Sequence, residues 1–148
     1  AGFEHAEIHP DVWSKFIPVS SMPAHLLLCA VRALDKERGE SLLPEVARRI
    51  RHAFFVDLVD VSQRSELLNI AAQAGLNSGD VEKALDSGIA HAELSSDLQL
   101  VREKNITASP TLLFNEDRQR LTGNVGYRVM EANVRELLNK PADQQSWC

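Results

Sequence analysis

The sequence predicts one α/β domain, mostly helical by content, whose sheet is reduced to a short hairpin near the C-terminal end. Helical periodicity recurs in four or five consecutive segments between about residues 23 and 104. A strand-type run, Thr111 to Phe114, directly follows Ser109 and Pro110, and a last amphipathic segment ends before Pro141. The chain has 148 residues, which is enough for one domain with a core and too few to expect two.

The composition is that of an ordinary globular protein, with 44% hydrophobic and 25% charged residues. The chain has 16 basic and 21 acidic residues, and the net charge of −5 argues against a nucleic-acid surface. Its apolar runs are too short for a membrane span, and the first residues lack the pattern of a signal peptide. The two cysteines form no Cys-X-X-Cys motif. Two cysteines without such a motif are most consistent with a reducing compartment, so we expect a cytoplasmic protein, with the periplasm as the alternative.

Residues 1 to 22 are predicted to be extended chain and loop, with one strand at Phe3 to Ile8. The first helix begins after Ser20 or Ser21 as cap, with Pro23 in its first turn, and Gly39 ends it. The periodicity places its buried face at Leu27, Ala30, Val31 and Leu34.

Three further helices are predicted before residue 89. The second has Ser41 as its candidate cap and Pro44 in its first turn. Its buried stripe is predicted at Val46, Ile50, Ala53, Phe54 and Leu58. The third helix is closed by Gly75, and the fourth has Asp80 as its candidate cap.

A longer helix is predicted over Ile89 to Lys104, with Asn105 placed to stop it. Two short strands follow, Thr111 to Phe114 and Arg120 to Thr122, joined by the charged turn NEDRQ. The last helix is the segment YRVMEANVRELLNK. The residues predicted to point inward from these two helices are Ala92, Leu98 and Val101 in the longer one, and Val129, Val134, Leu137 and Leu138 in the last.

The sequence identifies no catalytic residue, no metal site and no cofactor. His5, Glu7 and His9 would share one face of a strand, but solvated polar side chains explain them better than a divalent metal does. Cys29 lies in an apolar helix segment, where a buried thiol is expected. Cys148 is the last residue and has no neighbouring thiol.

The order of these motifs resembles the back half of the thioredoxin-like fold in its bacterial-type DsbA form. SSMPAHLLLCAVRAL is similar to the entry into that family's inserted helical domain, and LLNIAAQAGLNSGDVEKALDSG to its following helices. LVREKNITASPTLLFNEDRQRLTGNVGY resembles the family's long helix, the loop before its signature proline, and the hairpin. The family includes DsbA-like and FrnE-like dithiol–disulfide oxidoreductases and isomerases and, more distantly, kappa glutathione transferases and 2-hydroxychromene-2-carboxylate isomerases.

The resemblance implies a thioredoxin-like partial sheet with an inserted helical domain over residues 23–104. Residues 105–140 would form the cis-proline hairpin and C-terminal helix, and residues 141–148 a flexible tail of a single domain spanning 1–148. Pro110 then corresponds to the family's cis-proline. The substrate-binding residues implied are Ala108, Ser109 and Pro110, whose backbone groups would pair with a bound peptide or thiol substrate like an added strand.

The sequence departs from the family pattern at its N-terminal end. The strand and the Cys-X-X-Cys helix start that open the family's fold are not found before Val19. We therefore expect either a fragment of a longer protein or a chain that has lost the dithiol. The closing QQSWC is similar to the CSWC of some FrnE-like members, but Gln145 stands where the first cysteine would be, and the likeness is treated as coincidence.

Four functions remain open. The first is a DsbA-like thiol–disulfide oxidoreductase or isomerase whose dithiol is missing from this chain, so that the chain alone does not catalyse exchange. The others are a non-catalytic thioredoxin-like module that binds protein partners, a kappa-type transferase or isomerase, and an unrelated helical domain. An incomplete sheet would expose a strand edge, so we expect a homodimer or association with the missing N-terminal segment.

Overall fold

The computed structural model describes residues 7–15 and 17–139, and within them the chain contains six α-helices and one two-stranded sheet. Their bounds are α1 Met22–Arg38, α2 Leu43–Phe55, α3 Arg64–Gln73, α4 Ser78–Asp86, α5 Ile89–Glu103, β1 Thr111–Phe114, β2 Gln119–Thr122 and α6 Tyr127–Leu138. This is the predicted mostly helical α/β order, and the element starts lie within about three residues of those predicted. No helix among the described residues combines the length and the apolar character that crossing a membrane requires.

The chain forms two compact units, residues 1–97 and residues 98–148, and α5 begins in the first and ends in the second. In the first unit α1 packs against α2, α3 and α4. Its core contains the four residues predicted for α1, together with Val46 and Ile50 of α2 and Val81 of α4. All the buried hydrophobic residues that the structure describes lie between Val12 and Ala90. The second unit therefore contains none of the described buried core.

Helix α1 follows the sequence signals closely. Pro23 lies in its first turn, and Gly39 ends it in the left-handed conformation at φ 69°. The hydroxyl of Ser20 accepts a hydrogen bond from the backbone N–H of Met22 at 3.0 Å, while Ser21, at the N-cap position, makes no side-chain cap bond.

The start of α2 is capped from α1, and the predicted cap Ser41 is wrong. Leu42 occupies the N-cap position, where an apolar side chain has no acceptor to offer. The carboxylate of Asp35, in the last turns of α1, instead accepts the backbone N–H groups of Leu42 at 2.9 Å and Leu43 at 2.8 Å. Asp35 is 8% exposed. These bonds satisfy two of the unpaired N–H groups that every helix start leaves.

Helix α4 also begins with a different cap from the one predicted. Asp80 lies in the first turn, and the side-chain oxygen of Asn77 accepts its backbone N–H at 3.2 Å. The extended backbone of Asn77, with ψ near 122°, is the geometry that an N-cap residue adopts.

Three residues of α5 and four of α6 were predicted to be buried, and none of them is buried in the structure. In α5, Ala90 is buried and Leu94 packs against the core, whereas Ala92, Leu98 and Val101 are exposed. In α6 no described residue is buried; Val129, Val134 and Leu138 are exposed and Leu137 is half-buried. Apolar spacing identifies the apolar face of a helix, but only tertiary contact covers it.

The predicted strand at Phe3 to Ile8 lies mostly outside the described residues. Glu7 and Ile8, which are described, are not in a strand. The backbone N–H of His9 donates instead to the carbonyl of Phe55 at 2.7 Å, which holds this segment beside the end of α2.

Candidate functional site

The predicted site residues Ala108, Ser109 and Pro110 form an exposed loop that leads into β1. The peptide bond between Ser109 and Pro110 is cis. The hydroxyl of Thr111 donates to the carbonyl of Ala108 at 2.6 Å, which fixes the exit of the loop. Among the described residues, the backbone N–H and C=O of Ser109 have no hydrogen-bond partner. The loop therefore presents one free donor and one free acceptor to solvent.

The register of the hairpin shows which backbone groups of β1 also lack a partner in β2. The two strands are antiparallel, with Thr111 opposite Thr122 and Leu113 opposite Arg120. Gly123 donates to the carbonyl of Pro110 at 2.9 Å, so these two residues form a hydrogen-bonded pair. Because hydrogen-bonded and non-hydrogen-bonded pairs alternate, Thr111 and Leu113 direct their backbone groups away from β2.

The open edge of β1 thus carries the outward backbone groups of Thr111 and Leu113, and Ser109 lies in the loop before it. Within the described residues β1 pairs only with β2, so nothing described there occupies this edge. The four side chains of β1 are half-buried. An extended polypeptide could add to such an edge by main-chain hydrogen bonds, while apolar side chains give it a surface to pack on.

Arg120 holds the start of the loop that precedes Ala108, and the sequence did not indicate this role. Its guanidinium donates to the carbonyl of Asn105 at 2.5 Å and to the carbonyl of Lys104. Both carbonyls lie just after the C-terminal end of α5, where helix carbonyls lack intrahelical partners. Lys104 in turn pairs with Asp117 in the hairpin turn. The end of α5 is therefore bonded to the hairpin both at its turn and at β2.

Cys29 is the cysteine that the structure describes, and its surroundings disfavour a thiolate. It lies in α1 with 5% of its surface exposed. Its thiol is 3.9 Å from a carboxylate oxygen of Asp97 and 4.0 Å from the guanidinium of Arg32. Burial raises the pKa of the thiol, and the opposing effect of Arg32 is smaller. The attacking species in disulfide exchange is the thiolate, so Cys29 is unsuited to that role.

The charged groups around Cys29 form a structural ion-pair network. Arg32 contacts Glu93 at 2.8 Å and Asp97 at 3.0 Å, linking α1 to α5. Hydrogen bonding to Asp97 is the largest cause of the raised pKa of Arg32, which therefore stays cationic. We assign the cluster to the packing of α5 onto α1.

The described residues contain no group of three or more histidine, cysteine or acidic side chains arranged to hold a metal. Of the three residues weighed for a metal, His5 lies outside the described residues. The Nδ1 atom of His9 accepts the backbone N–H of Asp11 at 3.1 Å, in a local turn.

A groove of about 480 Å³ opens in the first unit between the starts or ends of α1, α3, α4 and α5. Its apolar lining includes Leu26, Leu67 and Leu85. Several polar side chains of its lining are already bonded to other protein groups. Arg64 pairs with Asp86 at 2.7 Å, and the hydroxyl of Ser62 donates to the carboxylate of Asp60.

Comparison with known proteins gives a consistent result. A thioredoxin family model matches residues 3–136. The ClpXP adapter protein SpxH of Halalkalibacterium halodurans is 24% identical over 140 residues, covering 91% of this chain and 44% of that protein. SpxH of Bacillus subtilis is 26% identical over 141 residues, covering 90% of this chain and 46% of that protein. The chain thus spans about half the length of these curated relatives.

The fold is shared with a solved structure. It is the crystal structure of a "putative protein disulfide isomerase" from Nitrosomonas europaea, with a TM-score of 0.70 and 21% identity. The match covers 86% of this chain and 61% of the other.

Proposed function

Because the chain belongs to the thioredoxin family, we propose that it is a protein-binding module that adds an extended segment of a partner to the open edge of β1. The thioredoxin-like fold, mostly helical with a partial sheet, is the fold predicted from the order of motifs. One observation carries the proposal: Thr111 and Leu113 direct backbone donors and acceptors away from β2, and Ser109, in the loop before them, has no backbone partner among the described residues.

Two further observations support binding over thiol chemistry in this chain. No Cys-X-X-Cys occurs in its sequence, and the described cysteine is buried with a raised thiol pKa. The curated relatives are named ClpXP adapter proteins, a name that fits a protein-binding role. Thiol–disulfide exchange by a longer protein that includes this chain remains a prediction from the family resemblance.

We expect Leu113→Pro to weaken binding of an extended peptide by at least about tenfold, because it removes an outward N–H from the edge. Proline is tolerated at such a position, since the lost donor does not belong to the pair with β2. Leu113→Ala is the matched control: it also shortens the side chain but keeps the N–H, and should change affinity far less. Fluorescence anisotropy with labelled, reduced and alkylated insulin B chain measures both, after circular dichroism has verified folding. Equal affinities of the two variants would refute the edge as the binding surface.

A second copy of the chain is one competing occupant of the same edge. Sedimentation at micromolar concentration distinguishes the two cases. A dimer that dissociates in Leu113→Pro and persists in Leu113→Ala would assign the edge to self-association. A monomer that binds the peptide supports the proposed module.

A further inference from the structure

Helix α2 carries more positive charge than its carboxylates neutralise. Arg48 and Arg49 share one partner, Glu45, at 2.8 Å and 2.7 Å. Hydrogen bonding from Arg48, assisted by Arg49, lowers the pKa of Glu45 to about 2, so this carboxylate stays charged near neutral pH. Arg51 is exposed and forms no ion pair with any described residue. Helix α2 itself thus carries three guanidiniums and one carboxylate, in a chain whose net charge is −5.

This charge borders an apolar groove in the first unit. Arg48, Arg51, His52 and Phe55 are spaced i, i+3, i+4 and i+7, so they lie on one face of α2. Together with Glu7, Ile8 and Val56 they line a groove of about 450 Å³. Val46, Ile50 and Ala53 on the other face are buried in the core. The grooved face is therefore not the one that holds the helix to the protein.

The apolar floor of the groove is held in place by local contacts. The ring of Phe55 packs edge-to-face on Phe54 and Trp13, with centroid distances of 4.7 Å and 6.1 Å. Ile8, on the opposite wall, is 57% exposed, and the bond from His9 to Phe55 fixes its segment there. Trp13 is itself 64% exposed. A contiguous apolar surface of this kind beside unpaired charge is typical of an interaction site.

We propose that this groove is a second docking site, for a short acidic peptide segment that carries an apolar side chain beside its carboxylates. The apolar side chain would pack on Ile8 and Phe55, and a carboxylate would pair with Arg51, whose fork of donors suits carboxylate geometry. His52 is already paired with Asp57 at 2.9 Å, and Glu7 would repel a carboxylate placed on its side of the groove. The acidic end of the segment therefore lies toward Arg51. The apolar floor favours a peptide with an apolar side chain over a nucleic acid.

The test uses a short fluorescein-labelled peptide of glutamate, leucine and glycine, measured by anisotropy at low and physiological salt. Arg51→Glu should weaken binding by about tenfold or more, because attraction becomes repulsion. Lys36→Glu makes the same charge change at an exposed site on α1 and should alter affinity no more than about twofold. Ile8→Ser should also weaken binding, whereas Val19→Ser, at a residue 94% exposed, should not. Binding that survives Leu113→Pro would separate this groove from the edge of β1.

Three results would overturn the proposal. One is equal weakening by Arg51→Glu and Lys36→Glu, which would mean that only net charge matters. Another is equal binding of a peptide in which lysine replaces glutamate. The third is Arg51-dependent binding of a single-stranded oligonucleotide at similar affinity, which would identify an anion site for nucleic acid.

Discussion

Asp35→Ala is expected to lower the free energy of unfolding by about 2 kcal/mol, because it removes a charged acceptor from two backbone N–H groups at a partly buried helix start. Leu42 and Leu43 would then have no acceptor in the position that the carboxylate now fills. Urea denaturation followed by far-ultraviolet circular dichroism measures the change.

Two matched variants sharpen this prediction. Asp35→Asn keeps one side-chain oxygen as acceptor and should lose only about half as much stability. Ser41→Ala, at the cap expected from the sequence, should change stability by less than about 0.5 kcal/mol, because the exposed Ser41 makes no side-chain hydrogen bond in the structure. A larger loss for Ser41→Ala than for Asp35→Ala would contradict the cap from α1.

Backbone amides of α1 are expected to exchange with solvent at least about 100-fold more slowly than those of β1 and β2. The opening that exposes the amides of α1 must also expose the buried core to water, which raises its free energy. The described buried core lies between Val12 and Ala90, whereas the described residues of the second unit are exposed or half-buried. Hydrogen–deuterium exchange with mass spectrometry resolves the two units by their peptides. Uniform protection across α1 and the hairpin would mean that they unfold as one cooperative body.

This difference in burial bears on function. A hairpin with little core of its own gains most from a partner that covers it, and main-chain hydrogen bonds with apolar packing are what an added strand supplies. The proposed binding surface thus lies in the unit that has no buried residue among those described.

The order of elements could be predicted because residues near the helix ends give local start and stop signals. Pro23 and Gly39 bracket α1, and Asn105, at φ 48°, lies where α5 gives way to the loop. The hairpin was predictable from the apolar run after Pro110, and its strands lie within one residue of the predicted bounds.

The failures concern contacts between elements. The cap of α2 comes from Asp35, seven residues before Leu42, and no local rule points to it. Arg120 binds backbone carbonyls, which have no signature in the sequence. The residues predicted to point inward from α5 and α6 are exposed or half-buried, because periodicity does not say whether another element covers an apolar face. The groove beside Arg48 and Arg51 could not be predicted, because it depends on Ile8, which is distant from them in sequence.

The central claim is that an extended partner adds to the open edge of β1. Amide exchange of Leu113, followed by NMR with and without the alkylated insulin B chain, tests it most directly. Leu113 directs its N–H outward, so we expect its protection to rise when the peptide binds, while Leu112, already paired with Leu121, changes much less. Peptide binding that leaves the exchange of Leu113 unchanged would contradict the claim.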